Sequence, residues 1–136
     1  MFDTHTHLQD PRFDSCRAGV LEATWRSGIT TLCCCGTHPG DWTRVSALAG
    51  SAGLPRVVPA FGVHPWYVDS LPKDWPATLR AMLLRHPDAA VGEIGLDGLR
   101  RGISRERQRE TLMRQLDLAV ELKRVVLLHG ARAWGP

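Results

Sequence analysis

Long apolar runs are missing from this 136-residue sequence. None approaches the roughly 20 residues that a membrane-spanning helix needs, so no membrane partner is expected. Cysteine spacing of the paired kind is missing as well. The four cysteines are Cys16 and the consecutive Cys33, Cys34 and Cys35. With no C-x-x-C pair, and with adjacent strand side chains pointing to opposite faces, neither a disulfide framework nor a structural zinc knuckle is supported. They read as reduced core residues of a cytoplasmic protein. An apparent strand begins at Met1, which leaves no stretch to read as a secretion signal. Lysine is scarce: of 17 basic residues only Lys73 and Lys123 are lysine. Against 14 acidic residues this gives a net charge of +3, a mild bias towards anionic partners. The arginine forks suit phosphate. No repeat, linker or low-complexity segment breaks the chain, and a single domain over residues 1–136 is expected.

What is present is an alternation of short β-like runs with helix-period stretches. Strands are expected at Phe2–Leu8, Ile29–Cys35, Val57–Val63, Ala90–Leu96 and Val125–His129. Between them, Asp14 reads as the cap of a helix reaching Ser27, with Val20, Leu21 and Trp25 on its apolar face and Gly28 as its stop. Asp41 reads as the cap of a second helix to Ala49. A third covers Pro76–Arg85, and Ser104 opens the clearest, in which Leu112, Leu116, Ala119 and Val120 recur at helical spacing. Strand–helix alternation with near-continuous apolar strands predicts an α/β fold with about five parallel strands and crossover helices. The pattern alone does not separate an open doubly wound sheet from part of a barrel.

The polar residues do. They gather at the C-terminal ends of four strands: His5 with His7, then His64, then Glu93 with Asp97, then His129. That rim is where parallel α/β barrels place their sites. His5 and His7, two residues apart on a strand, point to one face and can chelate one metal ion through neutral nitrogens. Glu93 lies inside an apolar strand, where a carboxylate needs a cation or hydrogen bonds. A metal would serve, and so would a buried salt bridge to an arginine; the flanking glycines permit close approach. Pro65 ends the third strand's pairing and holds His64 at the rim, either to polarise or protonate a substrate oxygen or to stabilise a turn.

Phe2-Asp3-Thr4-His5-Thr6-His7-Leu8, Gly62-Val63-His64-Pro65-Trp66 and Gly92-Glu93-Ile94-Gly95-Leu96-Asp97 resemble the three N-terminal signatures of the TatD family of metal-dependent hydrolases, in order and at about the family spacing. Gln108, Gln115-Leu116 and Ala119 extend the match into the strand that ends at His129. The resemblance implies a TIM-barrel hydrolase with two divalent metals (zinc, manganese, magnesium, nickel or cobalt), cutting phosphodiesters and often described as a deoxyribonuclease. Carried over by position, His5 and His7 hold the first metal, Glu93 bridges both, and His129 binds the second. His64 faces the substrate phosphate and, with Glu93, serves catalysis. Asp97 supports the site, and a metal-activated water attacks phosphorus in line. DNA or another phosphodiester is the implied partner, with no obligate protein partner.

A closed barrel of this type has eight strands. Five are counted here, so the expected architecture is a partial (β/α) barrel, the N-terminal part of a TatD-like hydrolase. With the family's later histidine and aspartate ligands having no position in the sequence, the chain is expected to retain one metal or none and to be inactive alone. Its truncated sheet is expected to expose a strand edge and apolar helix faces. Gly98 and Leu112 stand where the family favours aromatics, and Ala131 where many members have arginine, with Arg132 one position later. The arginines from Arg100 to Arg109 read as a solvated helix start balanced by Glu106 and Glu110, with a grip on polyanions as the other reading. Two rival functions stay open: an amidohydrolase-like ester, lactone or amide hydrolase, and a non-catalytic half-barrel.

Overall fold

The computed structural model describes residues 1–51 and 53–133. Its strands are β1 (Phe2–Thr6), β2 (Thr31–Cys35), β3 (Arg56–Phe61), β4 (Ala90–Asp97) and β5 (Val126–Ala131). The helices between them are α1 (Arg17–Arg26), α2 (Trp42–Ala49), α3 (Trp75–Arg85) and α4 (Arg105–Glu121). Short 3-10 turns, Pro11–Phe13 and Pro65–Ser70, follow β1 and β3. All four pairings are parallel, and the order in the sheet is the order in the chain. That order decides between the two architectures. A doubly wound sheet reverses its order part-way, whereas here every crossover steps the same way and the sheet forms a curled half-barrel.

The convex face carries the main core. Leu32, Cys34, Phe61, Val91 and Ile94 meet Trp42 and Val45 of α2, Leu79 and Leu83 of α3, and Ala119 of α4. On the concave face Cys33, Cys35, Ala60 and Ala90 form a smaller cluster with Leu127. The cysteine trio therefore divides between the two faces as strand alternation demands. All four cysteines are free, but Cys16 is exposed, contrary to its expected place in the core. β1 and β5 are the sheet edges, and Leu128 is exposed on β5.

Two caps differ from expectation. Cys16, not Asp14, occupies the cap position of α1, without a side-chain cap. Asp14 is drawn away by ion pairs with Arg17 and Arg44. Asp41 does stand at the cap of α2, but its carboxylate is spent on the preceding loop. Ser104 caps α4 as expected, its hydroxyl accepting from Arg107 N at 3.2 Å. Of the expected apolar face of α4, Leu112, Leu116 and Ala119 pack on the core while Val120 is 79% exposed, and the most buried positions also include Gln108, Thr111 and Gln115. No helix among the described residues is long and apolar enough to cross a membrane.

Candidate metal centre

Two irregularities in the ladders aim the polar side chains. Along β1 the register passes from Asp3 opposite Leu32 to Thr6 opposite Cys34, three residues against two. Along β4 it passes from Val91 opposite Val126 to Ile94 opposite Leu128, again three against two. Each extra residue reverses the inward–outward alternation. Val91 and Ile94, an odd spacing apart, therefore share the convex core, and Glu93 turns to the concave side. Thr4 and His5 are neighbours in sequence, yet both line the concave side for the same reason.

Above the irregularities the imidazoles and carboxylates converge. His5 Nε2 and His7 Nε2 lie 3.2 Å apart. Glu93 Oε2 lies 3.2 Å from the first and 3.3 Å from the second. A tetrahedral ion with ligands at about 2.0–2.1 Å sets its ligand atoms about 3.3–3.4 Å apart, so this triangle has the edge that such an ion imposes. The other oxygen, Oε1, lies 3.0 Å from His129 Nδ1 and 3.9 Å from His64 Nε2. No arginine pairs with Glu93 among the described residues; its partners are imidazoles. One carboxylate thus faces two groups of nitrogen, and the donor atoms of His5, His7 and Glu93, and those of His64, Glu93 and His129, lie close enough together to hold a metal ion.

The hydrogen-bond partners fix which nitrogen is free. His7 Nδ1 lies 2.8 Å from the Cys35 carbonyl, which can only accept, so Nδ1 carries a proton and Nε2 is the nitrogen turned to Glu93. His129 lies between two carboxylates, Nε2 3.0 Å from Asp97 Oδ2 and Nδ1 3.0 Å from Glu93 Oε1, so Nδ1 offers a lone pair to the Glu93 side when Nε2 carries the proton. His64 is the reverse case. Its Nδ1 accepts from Trp66 N at 3.2 Å, so in the neutral ring Nε2 carries a proton and faces Glu93 Oε1 at 3.9 Å. Burial lowers the His64 pKa to about 4, which keeps the ring neutral. Burial opposes ionisation of Glu93 too, but the hydrogen bond with His7 and the charges of the surrounding imidazoles offset it and hold the carboxyl at about 2. Asp97 is buried. Bonds from Arg100 N, Trp66 Nε1, Leu99 N and His129 outweigh that burial and hold its carboxyl below the usual range.

The structure brings together every residue singled out in the sequence: His5, His7, His64, Glu93, Asp97 and His129. Except for Asp97, which sits behind His129, all line one cleft of about 670 Å³. Sequence reasoning missed the loop after β2. Asp41 accepts from Thr37 N at 3.0 Å, from its hydroxyl at 2.8 Å, and from Gln9 Nε2 at 3.1 Å, building the wall beside His64, whose N–H donates to the Thr37 carbonyl at 2.8 Å. There the His38 and Tyr67 rings stack with centroids 4.5 Å apart. The one signal was Asp41, and a helix cap accounted for it.

Two glutamines of α4 were matched but given no role. β3 and β4 pair only at Ala60–Ala90 and Phe61–Val91, then part. Val63 and Asp97 are left without a strand partner on the side where the two diverge, and buried backbone groups must be paired. Gln115 supplies both bonds to Val63: Oε1 accepts from its N–H at 2.6 Å and Nε2 donates to its carbonyl at 3.2 Å. Gln108 does the same for Asp97, at 2.8 and 3.2 Å. Seven residues apart on one helix face, they hold the strand ends that carry His64 and Asp97. The neighbouring arginines are not balanced as expected. Arg107 pairs with Asp69, Glu110 with Arg114, and Arg100 lies over the Trp66 ring.

Comparison with known proteins agrees with this geometry. The model of the TatD-related DNase family matches residues 2–135. The chain belongs to that family. Among the family's curated members, human deoxyribonuclease TATDN3 is 31% identical over 153 residues, spanning 100% of this chain and 54% of that protein. The 3'-5' ssDNA/RNA exonuclease TatD of Pantoea ananatis is 31% identical over 133 residues, spanning 98% of this chain and 51% of that protein. The crystal structure of the TatD homologue YjjV from Escherichia coli K12 superposes with a TM-score of 0.87 at 31% identity, over 97% of this chain and 51% of that one. The chain spans about half the length of the family members it matches, and the half it shares is the one that carries β1 to β5.

Proposed function

We propose that this chain provides half of a metal-dependent phosphodiesterase site acting on nucleic acid. The observation that carries the reading is Glu93, whose two oxygens face two separate imidazole groups at 3.0–3.3 Å. His5 Nε2, His7 Nε2 and Glu93 Oε2 would hold one divalent ion; His129 Nδ1 and Glu93 Oε1 would hold a second. Ions bound there supply an activated water and neutralise charge that develops on phosphoryl oxygens. His64 Nε2–H, neutral and fixed, donates to a substrate oxygen. Asp97 orients His129. The relatives named as a deoxyribonuclease and as an ssDNA/RNA exonuclease support the substrate class.

Three protein ligands on one side and two on the other fall short of the four that an ion of this kind usually takes. Residues 1–136 alone should therefore bind metal weakly and turn over poorly. Calorimetric titration with manganese or zinc tests the site: binding to the wild type, abolished in a His5→Ala/His7→Ala/Glu93→Ala triple variant, is expected. Equal binding by both proteins would remove the proposal. The reaction class is tested by fusing this chain to the second half-barrel of a relative and assaying it with added metal. An oligodeoxynucleotide should be cleaved and a carboxylic ester left intact; the reverse preference would favour the ester and amide class.

A further inference from the structure

Trp66 stands where the cleft opens to solvent, two residues beyond His64, and neither metal ligation nor core packing uses its ring. The residue is 44% exposed. Its only side-chain polar atom, however, is tied to a buried partner: Nε1 donates to Asp97 Oδ2 at 2.6 Å, and Asp97 is 3% exposed. An exposed ring with a buried anchor cannot swing, so its orientation at the rim is fixed. The Arg100 guanidinium lies over it, Cζ 4.7 Å from the ring centroid. Arg100 is held by the same carboxylate, through its backbone N–H to Asp97 Oδ1 at 2.9 Å. Aromatic ring and guanidinium therefore hang from one buried acid, which also lies 3.0 Å from His129 Nε2.

A phosphate has no flat face for such a surface to meet; a nucleobase has two. We propose that Trp66 and Arg100 form a stacking platform for the base next to the phosphate addressed by His64 and Glu93. Fixed aromatic rings and arginine planes are how proteins hold unpaired bases with little regard to sequence. In a duplex those faces are covered by neighbouring pairs, so the ligand is a single strand. A stacked base, resting on a carboxylate shared with His129, is thereby tied to the position of the proposed second ligand. The inference rests on the nucleic-acid reading above and adds to it a residue that selects the substrate.

The test compares two fluorescein-labelled probes of equal length and charge, an oligothymidylate and a chain of abasic deoxyribose phosphates, binding to the purified protein in EDTA. Fluorescence anisotropy of the wild type is expected to show roughly tenfold tighter binding of the base-bearing probe. Trp66→Ala should remove that preference while abasic binding stays unchanged, and Trp66→Phe should restore part of it. A merely structural role would move both probes together. In the wild type, the Trp66 indole N–H resonance, assigned from its absence in Trp66→Phe, should shift with the base-bearing probe only. Equal affinity for the two probes, or a preference that survives Trp66→Ala, overturns the platform and leaves the nucleic-acid reading standing. Failure of the wild type to bind either probe, in EDTA and again with manganese added, overturns both.

Discussion

The two sides of Glu93 are built in different ways. Facing Oε2 are two imidazoles from a single strand, two residues apart, with side chains 42% and 39% exposed. Facing Oε1 are His129 and His64, with Asp97 behind, from three separate segments and much deeper: their side chains are 21%, 8% and 2% exposed. The first side needs only that β1 stays in the sheet with its bulge. The second needs β4 and β5 to approach closely, α4 to dock, and a buried acid to hold a ring. One arrangement is local and the other is assembled, so they should fail differently.

Glu93→Gln should do the most damage, because it weakens both sides together. Divalent-metal affinity is expected to fall by more than the roughly 100-fold that loss of an outer partner costs. Calorimetry that finds one side still binding normally would show that the two are not bridged. Gly95→Ala comes next and should strike only the assembled side. A Cβ at this position, with φ +151°, would lie 1.9 Å from the His129 carbonyl oxygen. Forcing β4 and β5 apart should cost about 3 kcal/mol in denaturant unfolding and displace His129, while the His5–His7 pair keeps its metal.

Asp97→Asn sharpens the contrast further, since it keeps the shape and removes the charge that fixes the His129 tautomer. Affinity at that side should drop about 10- to 100-fold, with the other side unaffected; an equal drop at both would erase the distinction. The smallest effect is expected from Gln115→Ala, which leaves the N–H and carbonyl of Val63 unpaired in the interior. A loss of about 2 kcal/mol is expected. Gln115→Glu, which keeps the acceptor, should recover part of it at a pH low enough to protonate the new carboxyl. Urea midpoints of the two variants provide the check.

Much of this arrangement could be read from the residues. Five strands and four helices fall close to their expected ranges, because apolar period and a stop such as Gly28 are local. His5 and His7 share a face, as a spacing of two requires, and Gly95 permits the close approach that flanking glycines announce. The errors have physical causes. Asp14 lost its capping role to Arg17 and Arg44, one of them thirty residues away. The apolar stripe assigned to α4 missed its buried glutamines. A polar side chain becomes a core residue when the strands beneath it part and leave backbone groups to satisfy. Nothing near Gln115 in the sequence shows that β3 and β4 diverge.

The sequence by itself determined the alternation of strands and helices and the set of imidazoles and carboxylates at the strand ends, because each follows from short-range period and residue chemistry; the family was legible only through the resemblance of its motifs. Tertiary structure alone decided which oxygen of Glu93 meets which ring, which nitrogen of His7, His64 and His129 faces that carboxylate, and that Trp66 and His129 share one acid. Those facts depend on ladder bulges, strand divergence and burial. They arise only when segments distant in the chain compete for the same hydrogen bonds.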